Sequence, residues 1–400
     1  PLILSGDDGV VVTIDISQQN LEMIVSGDPE AFDYDITADQ YKIALRDVVD
    51  GDITFTGDAE IAANGVDLSY KTSVDALRNI SYDGTINSLD ILVDFQVPGG
   101  NGEYVTGGGK ISGMQTQAEM AIPLDADFED PDNLLVDGFS IAGGYVIDSA
   151  DYVFDVNVEG DQASGSISTG TATFTGEMNA QTVGYAANTK DLALNILTGQ
   201  FPLPIEASLG EYGINFQMPT GTTDAPVDFA VGFDLVDLSI SDTIWNLFDA
   251  GNVLPRDPAT LQLAVSGKVK ALFDMFDPEQ QDALNSSEMP YEISSATLDR
   301  LNIDAAGAKI TGDGAFTFDN EDTQTFAPFP RPEGEASVEI TGFNALLDNL
   351  VSMGLVPESD VMGARMMVGM FARSTGDDQM ETSVEVLPNG QVNVNGNRVR

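Results

Sequence analysis

The acidic run DADFEDPDN, residues 125–133, places Asp125, Asp127 and Glu129 at alternate positions. Hard oxygen ligands at that spacing are how a calcium loop begins. The rest of such a loop does not follow, because its glycine position holds Asp130 and the position of its bidentate glutamate holds Val136. A looser calcium site and a solvated acidic loop both remain open. Asp377-Asp378 and Asp319-Asn320-Glu321-Asp322 read as solvated turns. The GGGK segment at Gly107 to Lys110 has the look of a phosphate loop, but Tyr104 stands where the first glycine is required and Ile111 where the hydroxyl is required. A glycine hairpin is the expectation there.

The chain has no histidine and no cysteine. That removes the commonest general base, the commonest transition-metal ligand, thiolate metal sites and any disulfide framework. No G-x-S-x-G or S-x-x-K nucleophile motif occurs, and a serine triad has no imidazole to draw on. Paired carboxylates are the chemistry of glycosidases. With 65 acidic residues, however, some pair arises in any fold, so pairing alone identifies nothing. The residues point to a non-enzymatic protein without a cofactor.

A different chemistry, that of soft apolar contact, is written between Glu333 and Arg373. Phe343, Leu346, Leu347, Leu350 and Val351 recur at helical spacing on one face. Gly354 should stop that helix, and Pro357 should open a second one with Glu358 and Asp360 in its first turn. The second helix carries Met362, Met366, Met367 and Met370 with Val361, Val368 and Phe371, and its only cations are Arg365 and Arg373. Methionines at this spacing are either core filler or an adaptable binding surface. On the second reading Met362, Met366, Met370 and Phe371 are the ligand-binding residues, lining an apolar groove that accepts hydrocarbon.

The elements that position these residues are mostly strands. Apolar residues make up 42% of the chain, enough for a folded body in spite of 16 Lys and Arg against 65 Asp and Glu, a net charge of −49. Such a polyanion repels nucleic acid and anionic membrane surfaces. No apolar run of 18 residues occurs, so no transmembrane segment is expected. From Val10 to about Ser239, short alternating segments follow one another: VVVTIDIS, LEMIVSG, FDYDIT, YKIAL, GDITFTGDAEI, VDLSYKTSV, ISYDGTI and LDILVDFQV, then a glycine- and threonine-rich series to Leu197. Alternation buries one face of each, as in antiparallel strands. Tight turns are expected at Asn64-Gly65, Asp83-Gly84, Asp50-Gly51 and Asp137-Gly138, and closing hairpins at Asn389-Gly390 and Asn395-Gly396.

The composition shifts near residue 240. Short helices are expected after Ser241, Asp277, Gly342 and Pro357, with FAPFPRPEG as an extended connector into the helical pair. The fold class is therefore mainly β: an elongated, curved antiparallel sheet or open sandwich of serial hairpins. Its organisation is a hairpin-rich region over 1–240, continuous with a mixed region over 241–400 whose helical capstone spans 342–373.

Several of these segments carry a resemblance. LPRDPATLQLAVSG, PRPEGEASVEITGFNALLDNLVSMGLVPES, MGARMMVGMFAR and GQVNVNGNRVR resemble the C-terminal half of an uncharacterised envelope family of alphaproteobacteria, domain-of-unknown-function family 2125. AFDYDITADQYKIALRDVVDGDITFTGDAEI resembles its N-terminal part. The resemblance implies a periplasmic or extracellular location and a start that is processed or truncated, since members begin with a secretory signal. It supplies no catalytic residue. In style, serial hairpins with a terminal helix pair are similar to the AsmA-like envelope proteins, whose long curved sheets are associated with lipid handling. The functional expectation is a protein that binds or transfers a hydrophobic ligand such as lipid on an apolar β-groove. The alternative is an acidic β scaffold that assembles with itself or with other envelope components.

Overall fold

A computed structural model describes residues 2–5, 10–50, 53–96, 102–127, 134–201, 203–273 and 291–400. Among the described residues strand accounts for 69% and helix for 9%, so the protein is mainly β, as the period-two alternation requires. Among the described residues the strand registers are antiparallel and there are three helices: α1 (Asp242–Phe248), α2 (Phe343–Ser352) and α3 (Glu358–Phe371). The helix expected at Asp277 lies outside the described residues. The chain divides into two compact units, Pro1–Glu177 with Ala187–Ser208, and Met178–Ala186 with Leu209–Arg400.

Four long strands dominate the first unit: Ala31–Asp50, Ile53–Val74, Leu77–Gln96 and Tyr104–Pro123, each paired with the next along most of its length. The turns expected at Asn64-Gly65 and Asp83-Gly84 and the glycine hairpin expected at Gly107 to Lys110 all lie inside these strands. What looked like turns are phase slips. In the first strand the apolar set is Phe32, Tyr34, Ile36 and Ala38, then Tyr41, Ile43 and Leu45; the third slips likewise between Ile86 and Leu89. The slips align across the sheet. Gln40, Asn64, Ser88 and Ser112 are directly opposed in successive strands and form a polar seam. Gln40 Nε2 donates to Asn64 Oδ1 (2.9 Å), and Asn64 Nδ2 donates to Ser88 Oγ (3.2 Å) and Asp90 Oδ2 (2.5 Å). Side-chain partners across the ladder thus satisfy polar groups that a reader of the sequence assigns to a turn. Beyond Tyr104–Pro123, Ser140–Ile147 and Ser149–Val158 share that strand as partner, and Asp161–Thr169 and Thr182–Thr198 extend the ladder.

In the second unit Val227–Ile240, Ala259–Ala271, Tyr291–Ala305, Ala308–Asp319 and Arg331–Thr341 pair in order, and Gln379–Val386 adds to the last of them after the helices. The FAPFPRPEG segment is an extended connector only in part, because Arg331, Pro332, Glu333 and Gly334 already belong to a strand. Asn395 and Gly396 both take positive φ between Val392–Val394 and Asn397–Arg398, the two-residue turn that an Asn-Gly pair favours. Ser241 is the N-cap of α1, where its carbonyl accepts the Ile244 and Trp245 N–H groups; its hydroxyl makes no capping bond.

Gly354 ends α2 with φ 73°; its N–H donates to Val351 O (2.9 Å) and that of Leu355 to Leu350 O (3.0 Å). This pair of bonds is a Schellman termination. Besides Pro123 and Pro219, only nine apolar side chains are buried among the described residues, five of them alanines, so most large apolar groups are half-buried within faces or exposed rather than enclosed.

Candidate functional site

Directly opposed residues of an antiparallel pair share one face of a sheet. In the first unit the register therefore assembles a row across eight strands: Ile16, Ile43, Ile61, Ile91, Gly109, Tyr152, Ile167 and Leu194. The neighbouring row on the same face is Ile14, Leu45, Ala59, Val93, Gly107, Phe154, Gly165 and Ile196. Both rows are free of charge. At about 4.8 Å between strands, seven steps span roughly 34 Å. Two of the glycines fit under aromatic rings: a Cβ on Gly109 would lie 2.2 Å from the Tyr152 ring and one on Gly165 3.1 Å from the Phe154 ring. The surface stays open, with Ile16, Ile43 and Ile61 exposed by 53%, 44% and 50%.

The opposite face is polar and paired. Lys42, Ala62, Asp90, Lys110 and Asp151 form one row, so charges of opposite sign meet across strands. Beside it Arg46 bonds Asp58 (2.8 Å), Glu60 (2.7 Å) and Asp15 (3.3 Å), next to the buried Ala44. Hydrogen bonds that Arg46 donates to Asp58 and then Glu60 raise its pKa, which keeps its charge fixed. The unit thus has two adjoining uncharged apolar rows on one face and a face of compensated charge.

The second unit repeats the design. Leu235, Leu261, Ile303, Ile310, Ile340 and Met380 are opposed in one row across six strands. On its other face Asp234 accepts from Gln262 (2.8 Å) and Arg300 (3.0 Å), and Gln262 accepts from Asn302 (3.1 Å). Helix α2 lies against Ala308–Asp319, and Arg365 of α3 bonds Asp348 of α2 (2.7 Å) and the Asn344 carbonyl (3.0 Å). Phe343, Leu346, Leu347, Leu350 and Val351 are half-buried.

The structure places Met362, Met366, Met367 and Met370 at 62–68% exposure, with Phe371 at 57%, whereas Val361 on the other side of α3 is 3% exposed. The methionines are therefore not core filler. They form a second apolar patch, on a helix. The residues that sequence reading passed over are the sheet rows. Their signal is the phase of alternation in each strand, but phase names a face only once the register is known.

Two acidic segments expected to be solvated turns are structural instead. Asp378 accepts the N–H groups of Asn344 (3.0 Å) and Ala345 (2.9 Å) and the Asn344 side chain (2.9 Å), capping α2 from a distant hairpin because Gly342 at the N-cap has no side chain to do so. Asp319 (2.6 Å) and Asp322 (3.1 Å) grip Arg331, whose guanidinium also donates to the Pro388 carbonyl and so ties in the closing hairpin. The Arg331 hydrogen bond holds Asp319 below the usual carboxylate range, and the Thr325 hydroxyl does the same for Asp322.

For Asp378, burial pushes the pKa up, but the Ala345 and Asn344 hydrogen bonds and Arg365 outweigh it and the net direction is down. A carboxylate depressed in the folded state contributes stability that is complete above its unfolded value of about 3.9 and is lost as pH falls through the folded value. Asp378→Asn should therefore lower the melting temperature at pH 7, and the gap to wild type should close on acidification below about pH 4. Asp378→Ala should cost about 1–2 kcal/mol at neutral pH, the usual size of a lost helix cap. A gap that persists unchanged at pH 2, followed by circular dichroism melts, would refute the capping role.

Asp125 and Asp127 fall in the turn after Tyr104–Pro123, and Glu129 lies outside the described residues. Among the described residues no three acidic side chains converge as a cation site, and no helix is long and apolar enough to cross a membrane. Residues 146–397 match the family described as "Uncharacterized protein conserved in bacteria" (DUF2125). The chain belongs to this family. The match covers the strands from Ser149 onward, the three helices and the closing hairpin, so the second unit's apolar row and the methionine helix both lie within the family's region. No curated protein matches the chain, and no solved structure does.

Proposed function

We propose that this protein is a non-enzymatic, periplasmic component of the bacterial envelope that binds or passes a hydrophobic ligand, such as the acyl chains of a lipid, along the apolar face of its sheet. The observation that carries this reading is the uncharged row from Ile16 to Leu194, in which Ile16, Ile43, Ile61 and Ile167 are exposed to solvent and Ile91, Tyr152 and Leu194 are half-buried. Exposed apolar surface of this extent is favourable to cover, at about 25 cal/mol per Å². Membership of a bacterial family and a polyanionic surface fit an envelope location. Lipid extraction and native mass spectrometry of protein purified from its own host should show bound lipid, and delipidated protein should take up a fluorescent fatty acid. Protein that carries no lipid and ignores the probe would sink the proposal.

The scaffold reading draws on a different observation. Glu22–Asp28 pairs with Ala31–Asp50 and exposes Met23, Ile24 and Val25 by more than half, an apolar strand of the kind that accepts an added strand. Cross-linking to a defined envelope partner in the absence of bound lipid would favour it.

A further inference from the structure

We propose that Met366, Met367 and Met370 of α3 form a binding site for a soft monovalent metal ion, Cu(I), held by their three thioether sulfurs. The inference concerns a helix separate from the ligand rows and does not depend on them. Residues three and four apart on a helix bring their Cβ atoms within roughly 5–6 Å, and helical side chains lean over the turn that precedes them. Met370 stands four residues after Met366 and three after Met367, so its side chain leans over both. Those two lean in turn over Gly363, which has no side chain and nothing within 4 Å of where its Cβ would lie. The three exposed sulfurs are therefore free to converge above an open floor. Methionine brings three rotatable bonds to each position, so the thioethers can close on an ion without moving the helix. Met362 is placed differently: a helical rise of about 12 Å separates it from Met370, too far for the two to share one ion.

The donor set selects the metal. Thioethers are soft and favour Cu(I), whereas calcium and magnesium require oxygen ligands and zinc is held by thiolate, imidazole or carboxylate. The chain has neither histidine nor cysteine, so methionine is its only soft ligand, and from Val361 to Phe371 there is no carboxylate for a hard cation. Both neighbouring cations are already engaged. Arg365 is held by Asp348 (2.7 Å), and Arg373, just past the helix, donates to both oxygens of Glu381 (3.2 Å each). Neither leaves an uncompensated positive charge to repel an ion, and the net charge of −49 draws cations toward the surface. Exposed Phe371, four residues after Met367, brings an aromatic face to the same turn, which a cation also favours.

Under anaerobic conditions the whole chain should take one equivalent of Cu(I) from a competing chromophoric chelator, and X-ray absorption should show sulfur as the first shell of the bound copper. The variant Met366→Leu/Met367→Leu/Met370→Leu conserves volume at exposed positions, so it should melt as wild type does. Its affinity for Cu(I) should fall roughly tenfold or more, as should that of Met370→Leu alone, whereas Met362→Leu should cost clearly less than Met370→Leu. Met23→Leu alters a methionine of the other unit that is 57% exposed, and it should leave Cu(I) binding unchanged. Excess Zn(II) or Ca(II) should not displace the copper. No uptake by the wild-type chain, a first shell of oxygen or nitrogen, undiminished affinity in the triple variant, or equal losses in Met362→Leu and Met370→Leu would each overturn the proposal.

Discussion

Replacing Ile61 and Ile91 together by aspartate is expected to weaken binding of a fluorescent fatty acid by a hundredfold or more, about 2.7 kcal/mol, while the protein stays folded. The two residues are directly opposed at the middle of the apolar row. A carboxylate pressed against hydrocarbon without a partner costs several kcal/mol, so two of them at the centre deny the row to a continuous chain. The cost to the fold is smaller, because Ile61 is already half exposed; like charges facing each other across strands add up to about 1 kcal/mol. Leu92→Asp is the matched control. Leu92 is also about half exposed, but it opposes Glu60 on the polar face. Its substitution should leave binding unchanged. Equal binding by the Ile61→Asp/Ile91→Asp variant and wild type, measured by titration, would show that the row is not where the ligand lies.

The largest loss of stability is expected from Gly342→Val, roughly 3–5 kcal/mol, combining left-handed strain with overpacking. Gly342 has φ 69°, a region closed to β-branched residues, and an added Cβ would sit 2.1 Å from the Gly307 carbonyl oxygen. The position is also where three things join: the end of Arg331–Thr341, the start of α2, and the Asp378 hairpin, whose carbonyl accepts the Gly342 N–H (3.0 Å). Displacing it removes the Asp378 cap as well. Gly354→Ala separates the two causes. Gly354 shares the left-handed φ of 73° but has nothing within 4 Å of its Cβ, so only the conformational penalty of about 1 kcal/mol applies. Urea unfolding of the two variants should differ accordingly; equal losses would mean that the approach to Gly307 is not what constrains Gly342.

Strand content, antiparallel pairing, the places where α2 and α3 begin and end, and the Asn395-Gly396 turn were legible in the sequence, because each rests on local rules: period-two alternation, a proline and acids at a helix start, a glycine at its end. The same local rules misled at Asn64-Gly65, Asp83-Gly84 and Gly107 to Lys110. There a one-residue slip of phase or a run of glycine reads as a turn, whereas the ladder carries the strand through and satisfies Gln40, Asn64 and Ser88 from neighbouring strands. Asp378 and Asp322 read as solvated for a related reason. Their partners, the first turn of α2 and Arg331, stand 34 and 9 residues away, and no spacing rule connects them.

The sequence by itself determined which residues are apolar and on which alternate positions they stand, since side chains point to opposite faces of a strand whatever its neighbours. Only the tertiary structure decided that Ile16, Ile43, Ile61 and Ile91 form one row and that the methionines of α3 face solvent. Register and helix orientation are set by the sum of many contacts between distant segments, and a single residue of slip would carry every one of those isoleucines to the other face.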